Sequence, residues 1–238
     1  FGVGVTNAKA LVMSTNLTTL DVGGRHVSIT KGPHTWTSTG TFFSGTGIKA
    51  IEIRGGTISG DEVFDAEVPY LLTAELIILD GASLTIPAGT IVYAETSGKI
   101  KNQGVLNATG AAENPIIFTS LKDDTVGGDT NGDADATSPA PQDWQGIRTD
   151  LATSVTTLKH CQFSYGGGSQ NTAVYCYRGF TTIEDCLIQF CESRAVFIND
   201  GDAILRNNTF TDTPSVGIYI KNANGFTKLE NNHFENCV

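Results

Sequence analysis

The 238 residues hold 27 glycines, 17% charged side chains and a formal charge of −10, which argues against nucleic acid and anionic membrane as partners, since both require clustered Lys and Arg. No apolar run is long enough to cross a bilayer, so no membrane span is expected. Short β-like runs broken by Gly, Asn, Ser and Thr, with no window of sustained helical apolar spacing, predict an all-β chain with almost no helix.

The chain opens on Phe1 rather than Met and is read as mature or trimmed. In residues 1–20 the apolar side chains Phe1, Val3, Val5, Leu11 and Met13 recur at odd positions, the period of one amphipathic strand with nothing obvious beside it. This N-terminal strand either caps the end of the fold or is an arm that adds to another subunit, because an open strand edge is a template for pairing. Residues 21–60 carry less regular β-like runs, His26–Ile29, Ile48–Ile53 and Gly56–Ile58, as expected of capping coils. The pattern then tightens. Leu76–Leu79, Leu84–Ile86, Thr90–Tyr93, Lys99–Lys101, Val105–Asn107 and Ile116–Thr119 read as short strands, punctuated by Gly81, Pro87, Gly89, Gly104, Gly110 and Pro115.

A long acidic insertion, residues 121–143, interrupts the coil spacing. Asp129, Asn131, Asp133 and Asp135 place oxygen side chains at alternate positions, and Asp124 lies close by in sequence, the arrangement by which a short loop wraps Ca2+. Ala134 stands where the EF-hand pattern has Gly, and the closing Glu is missing. A solvated acidic loop is the alternative. A bound calcium would hold the loop against the coil rather than catalyse.

From Thr157 onward the sequence repeats. Leu158–Phe163, Ile183–Ile188, Leu205–Phe210 and Leu229–Phe234 superimpose, with starts 25, 22 and 24 residues apart. Ala173–Cys176, Ala195–Ile198 and Gly217–Ile220 form a second register. Such a period without helix predicts a β-solenoid, in which residues one coil apart form columns along the axis. Leu158, Ile183, Leu205 and Leu229 make one inward column, and Phe163, Ile188, Phe210 and Phe234 another. Cys161, Cys186, Asn208 and Asn232 stack at a corner, where a disulfide between the two cysteines and a buried pair of thiols both fit. Five cysteines leave at least one outside any intramolecular bridge. Tyr175, Phe197 and Tyr219 share a column whose facing stays open: outward it is an aromatic strip for sugar rings or a partner, inward it is core.

Gly60-Asp61, Pro69–Thr73, Leu76–Thr90 and Gly104–Ser120, followed by Gly128–Asp133, Pro141–Ile147 and the C-terminal repeats, resemble bacterial extracellular right-handed parallel β-helix proteins with the pectate-lyase-like fold. The resemblance covers residues 60–238. It implies a right-handed parallel β-helix, secreted or at the cell surface, in a family that includes adhesins, surface-layer and cell-wall proteins and relatives of polysaccharide lyases. Such motifs speak to fold and are nearly silent on activity.

Paired carboxylates for a hydrolase come nearest at Asn199–Asp202, where Asn, Asp and Gly are ordinary turn formers, and no catalytic residue is assigned. Arg148, Arg178, Arg194 and Arg206 lie on four successive coils in differing registers and read as scattered surface charges. The expectation is a non-enzymatic extracellular structural or adhesive surface protein. Its repeat stops in mid-coil at Val238, so either the protein continues or another subunit covers the end, with the N-terminal arm as donor for head-to-tail filament assembly. The rival readings are a polysaccharide lyase or hydrolase and a carbohydrate-binding module, each acting along the outer face.

Overall fold

The computed structural model describes residues 47–168, 171–222 and 225–237, together with strand segments 3–6, 12–15, 18–19, 25–31, 36–39 and 42–43. Phe1 and Leu11 lie outside the described residues. No helix occurs among those described, and the chain winds through about eight turns of parallel strands, the expected all-β solenoid.

Three stacks of strands build the body. The first runs through Ile48–Ile58, Tyr70–Leu72, Ile91–Ala94, Ile116–Ser120, Cys161–Ser164, Leu187–Gln189, Thr209–Thr211 and His233–Glu235. The second leaves the same long strand through Glu75–Ile78, Lys99–Asn102, Gly146–Thr149, Thr172–Cys176, Arg194–Asn199 and Val216–Lys221. Asp61–Val63, Ser83–Pro87, Val105–Thr109, Val155–Lys159, Phe180–Glu184, Asp202–Arg206 and Thr227–Glu230 form the third. Ile48–Ile58 belongs to two stacks because it turns a corner: Ile51 pairs with Tyr70, and Gly56 with Leu76. The bend falls at Gly55, whose φ is 75°, and a Cβ there would sit 2.7 Å from the Glu75 carbonyl.

Inward side chains stack in register. Val27, Ile51, Tyr70, Val92, Phe118, Phe163, Ile188 and Phe210 form one column, each at most 2% exposed. Ile86, Ala108, Leu158, Ile183 and Leu205 form a second with no exposure. Both expected apolar columns are therefore core as far as Leu205 and Phe210, at about 1.5–3 kcal/mol for each large side chain buried, while Leu229 and Phe234 of the same columns are exposed. The Phe118 and Phe163 rings stack 4.8 Å apart. A short polar string runs inside as well: the hydroxyl of Thr149 lies 2.8 Å from that of Thr156 and 2.9 Å from that of Thr181, so no group in the string goes unsatisfied.

The corner between the third and first stacks shows why Asn and Cys interchange there. Asn208 Oδ1 accepts the Cys186 N–H at 3.0 Å, and its Nδ2 donates to the Ile183 carbonyl at 2.9 Å. One coil earlier Cys186 Sγ accepts the Cys161 N–H at 3.4 Å and donates to the Leu158 carbonyl at 3.5 Å. The sulfur reaches the same pair of partners as the amide, although the Glu184 carbonyl is a nearer acceptor for its single hydrogen at 3.2 Å. Both cysteines are free thiols, so of the two readings the buried pair holds. Burial pushes the Cys176 and Cys191 thiols up to about 12. The residue before the corner is left-handed in each of the last four coils, at His160, Asp185, Asn207 and Asn231, with φ between 46° and 54°.

The first twenty residues differ from the single strand expected of them. Val3–Thr6, Val12–Thr15 and Thr18–Thr19 are three strands, paired in parallel with Arg25–Lys31, Trp36–Thr39 and Phe42–Phe43. Val3 faces Val27, Val12 faces Trp36 and Thr18 faces Phe42, the same offset each time. The coil repeat thus reaches back to residue 3. A period of two identifies a strand but not its neighbour, which is why this pairing left no local trace. Val3, Val5 and Met13, expected in an arm, sit in strands already occupied along one edge.

Candidate functional site

On the second stack, register carries Ile77, Lys101, Arg148, Tyr175, Phe197 and Tyr219 into one column. Val174, Cys176, Val196 and Ile198 on either side of the rings are fully buried in the core, so Tyr175 and Phe197 point outward. The Tyr175 and Phe197 rings stack at 4.8 Å, and the Phe197 and Tyr219 centroids are 5.2 Å apart. Guanidinium groups cover them. Arg148 lies 5.1 Å from the Tyr175 centroid and 4.6 Å from Tyr177, Arg178 lies 4.9 Å from Tyr177, and Arg194 lies 5.1 Å from Phe197 and 4.8 Å from Tyr219. Each contact stabilises by about 0.5–2 kcal/mol. The covering is uneven: Tyr175 and Phe197 are 7% exposed but Tyr219 is 38% exposed, so the strip is roofed in the middle and open at that ring.

Two of the four arginines that the sequence leaves scattered, Arg148 and Arg194, therefore converge on one aromatic column, and Arg178 packs on Tyr177 beside it. Arg206 alone is elsewhere, bridging Glu184 at 2.9 Å and Glu230 at 3.0 Å on the third stack. Asp150, which no sequence motif singles out, closes the basic end of the column. Its carboxylate takes Arg148 Nε at 2.6 Å, Lys101 Nζ at 3.1 Å and Gln103 Nε2 at 3.3 Å. Burial by itself would raise its pKa, but hydrogen bonds from Lys101 and Gln103 and the Arg148 charge hold it below the usual carboxylate range. It stays ionised and organises donors. Asp200 and Asp202, the nearest approach to paired carboxylates, flank a shallow cleft of about 370 Å³ with Arg178 and Phe180. Asp202 Oδ1 accepts the Phe226 N–H of the next coil at 2.6 Å, the work of a turn former.

The acidic insertion is docked rather than free. It crosses the outer face of the first stack, where the Tyr93 hydroxyl donates to the Val126 carbonyl and accepts from Thr130 Oγ1 at 3.2 Å. Lys49 donates from its backbone N–H to the Thr130 carbonyl and from Nζ to the Asp129 carbonyl, both at 3.0 Å. Beneath it Ala50, Leu71, Tyr93 and Leu121 form an apolar cluster outside the coil.

Of the five expected calcium ligands, Asp124, Asp129 and Asp133 come together, with carboxylate oxygens within 4.8 Å of one another. Asn131 adjoins that group through Asp133: its amide donates to Asp133 Oδ2 at 3.0 Å and its oxygen accepts the Asp133 N–H at 3.1 Å. Asp135 is exposed and outside the group, next to Ala134, whose φ of 49° is the left-handed conformation that Gly would adopt more readily. Asp129 is oriented by the N–H groups of Gly132, Asp133 and Ala134. Asp124 Oδ1 is buried without a hydrogen-bond partner. Burial raises the Asp124 pKa, and the charges of Asp129, Asp133, Asp135 and Asp123 raise it further. Crowded carboxylates with one orphaned oxygen fit a hard cation.

Comparison with known proteins bears on the fold. Residues 56–172 match the pectate-lyase like beta helix domain and residues 143–238 the right handed beta helix region. Protein bark beetle of Drosophila melanogaster is 41% identical over 71 residues, which are 29% of this chain and 2% of that protein's length. No solved structure matches.

Proposed function

We propose, for a chain that belongs to the right-handed β-helix proteins of the pectate-lyase-like superfamily, that it is a non-enzymatic surface module that holds a polysaccharide along the outer face of its second stack. The outward column Lys101–Arg148–Tyr175–Phe197–Tyr219 carries this reading. The open Tyr219 ring can stack on a sugar ring, while the guanidinium groups that roof Tyr175 and Phe197 can hydrogen-bond its hydroxyls. The carboxylate beside them, Asp150, is committed to three donors and keeps its charge, which suits positioning rather than proton abstraction. Domains of this kind are commonly extracellular, and no helix among the described residues is long and apolar enough to cross a membrane. An adhesive or structural role at the cell surface follows from such a face. A glycan array tests it: binding without turnover is expected, with Tyr219→Ala and Arg194→Ala each weakening it about tenfold, a loss of ~1.4 kcal/mol. Unsaturated-product absorbance on uronate polysaccharides, lost on changing Arg178 or Arg194, would establish a polysaccharide lyase instead.

A second reading is supported by the orphaned Asp124 oxygen. Ca2+ held by Asp124, Asp129 and Asp133 would neutralise their repulsion and fasten the insertion. Calcium at a hundredfold excess over its Kd should add about 2.7 kcal/mol of stability. Asp124→Asn should remove that gain, and the absence of any calcium-dependent shift in the parent protein counts against the reading. In the coil Thr227–Glu235, Leu229 and Phe234 are 46% and 48% exposed although their columns are otherwise buried. Such a face accepts another coil of the same period, from this chain or a second copy.

A further inference from the structure

In a solenoid each coil touches only its neighbours, so stability propagates step by step along the axis. The insertion breaks that locality. It leaves the coil of Ile116–Ser120 and runs back over three earlier coils, packing on Tyr93, then Leu71, then bonding to Lys49. The Lys49–Asp129 bond joins residues eighty apart in sequence. Gly127 lets the strap approach closely: with φ of 65°, a Cβ there would lie 2.6 Å from the Tyr93 hydroxyl. The strap also fastens at its two ends. Thr119 Oγ1 donates to Asp123 at 2.6 Å, and Asp143 takes Ser120 Oγ and Lys122 Nζ, each at 2.7 Å. The outward column beneath it is apolar at Leu71 and Tyr93, between Glu52 on one side and Thr119 and, further on, Gln189 and Thr211 on the other.

We infer that the insertion is a clasp that couples the coils of Ile48–Leu72 to the middle of the helix, so that these early coils open together with the strap instead of fraying alone. The clasp rests on the Tyr93, Lys49 and Leu71 contacts and not on any cation. Tyr93→Phe keeps the ring and removes both hydroxyl bonds, and Lys49→Met keeps the aliphatic stem and removes the Asp129 contact.

Native-state hydrogen exchange of the full chain, followed by peptide in the presence of a chelator, tests the coupling. Both variants should speed exchange about fivefold in strap peptides 122–135 and equally in peptides 48–72, while peptides 155–211 keep the parent rate, as loss of one or two hydrogen bonds in a local opening implies. Faster exchange in the strap alone would overturn the inference, as would equal acceleration in all three regions or none. Calcium protection of the strap without any effect of Tyr93→Phe would sink the clasp and leave the cation reading standing. The reverse pattern would do the opposite.

Discussion

Between Cys161 and Thr211 the outward column of the first stack is polar, a buried Ser164 followed by half-buried Gln189 and Thr211, whereas the same column a few coils earlier is Leu71 and Tyr93, fully buried beneath the insertion. One fold thus solves two problems with the same backbone. The later coils are held by repetition alone: apolar columns inside and a ladder of side-chain bonds at one corner. The earlier coils add a strap that crosses the repeat and supplies contacts no single coil contains. Regular coils should therefore respond to core and corner substitutions, and the strapped region to the few residues that fasten the strap.

The largest effect is expected in the repeating region. Leu205→Ala opens a cavity in a fully buried column and should cost about 2–5 kcal/mol in denaturant unfolding. A loss below about 1 kcal/mol would mean that the column does not carry the coils. Next comes the corner. Asn208→Ala strands the Cys186 N–H and the Ile183 carbonyl and should cost about 1–3 kcal/mol, whereas Asn208→Cys should cost clearly less, because Cys186 already reaches the equivalent two partners. Equal losses would refute the equivalence of thiol and amide.

These two predictions concern what the sequence makes legible. Leu158, Ile183, Leu205 and Leu229 are alike in chemistry and evenly spaced, so the inward column can be read without coordinates. The facing of Tyr175 cannot be read that way. Ala173 and Val174 are consecutive yet both fully buried, so the strand enters with its alternation broken, and counting by twos from either side is undecided. Convergence of Arg148 and Arg194 on that column is equally invisible, because one shares the register of the rings and the other reaches them from three residues upstream. Docking of the insertion depends on one Tyr and one Lys and leaves no periodic trace. The acidic spacing marks out the loop in which Asp124, Asp129 and Asp133 come together, but their approach depends on how Asp129 and Asn131 spend their bonds on the backbone and on Asp133.

In the strapped region Tyr93→Phe should cost about 0.5–1.5 kcal/mol in the joint opening of the strap and the coils beneath it, less than any core truncation. An effect as large as that of Leu205→Ala would erase the distinction between the two regions. The smallest effect belongs to the second stack's outer face. Asp150 has its pKa lowered in the fold, so its pairing stabilises above the unfolded-state value and is lost as pH falls through the folded one. Asp150→Asn should flatten that acid limb of the stability profile and leave the neutral-pH core unaffected. An unchanged limb would show that Lys101, Gln103 and Arg148 do not depend on it.

The proposal that this face binds without reacting is tested most directly by one titration of the full chain against uronate oligosaccharides, following affinity and ultraviolet product absorbance together, with and without calcium. Saturable binding that Tyr219→Ala weakens, with no rise in absorbance, is the predicted result. A rise in absorbance that Arg194→Ala abolishes would contradict it.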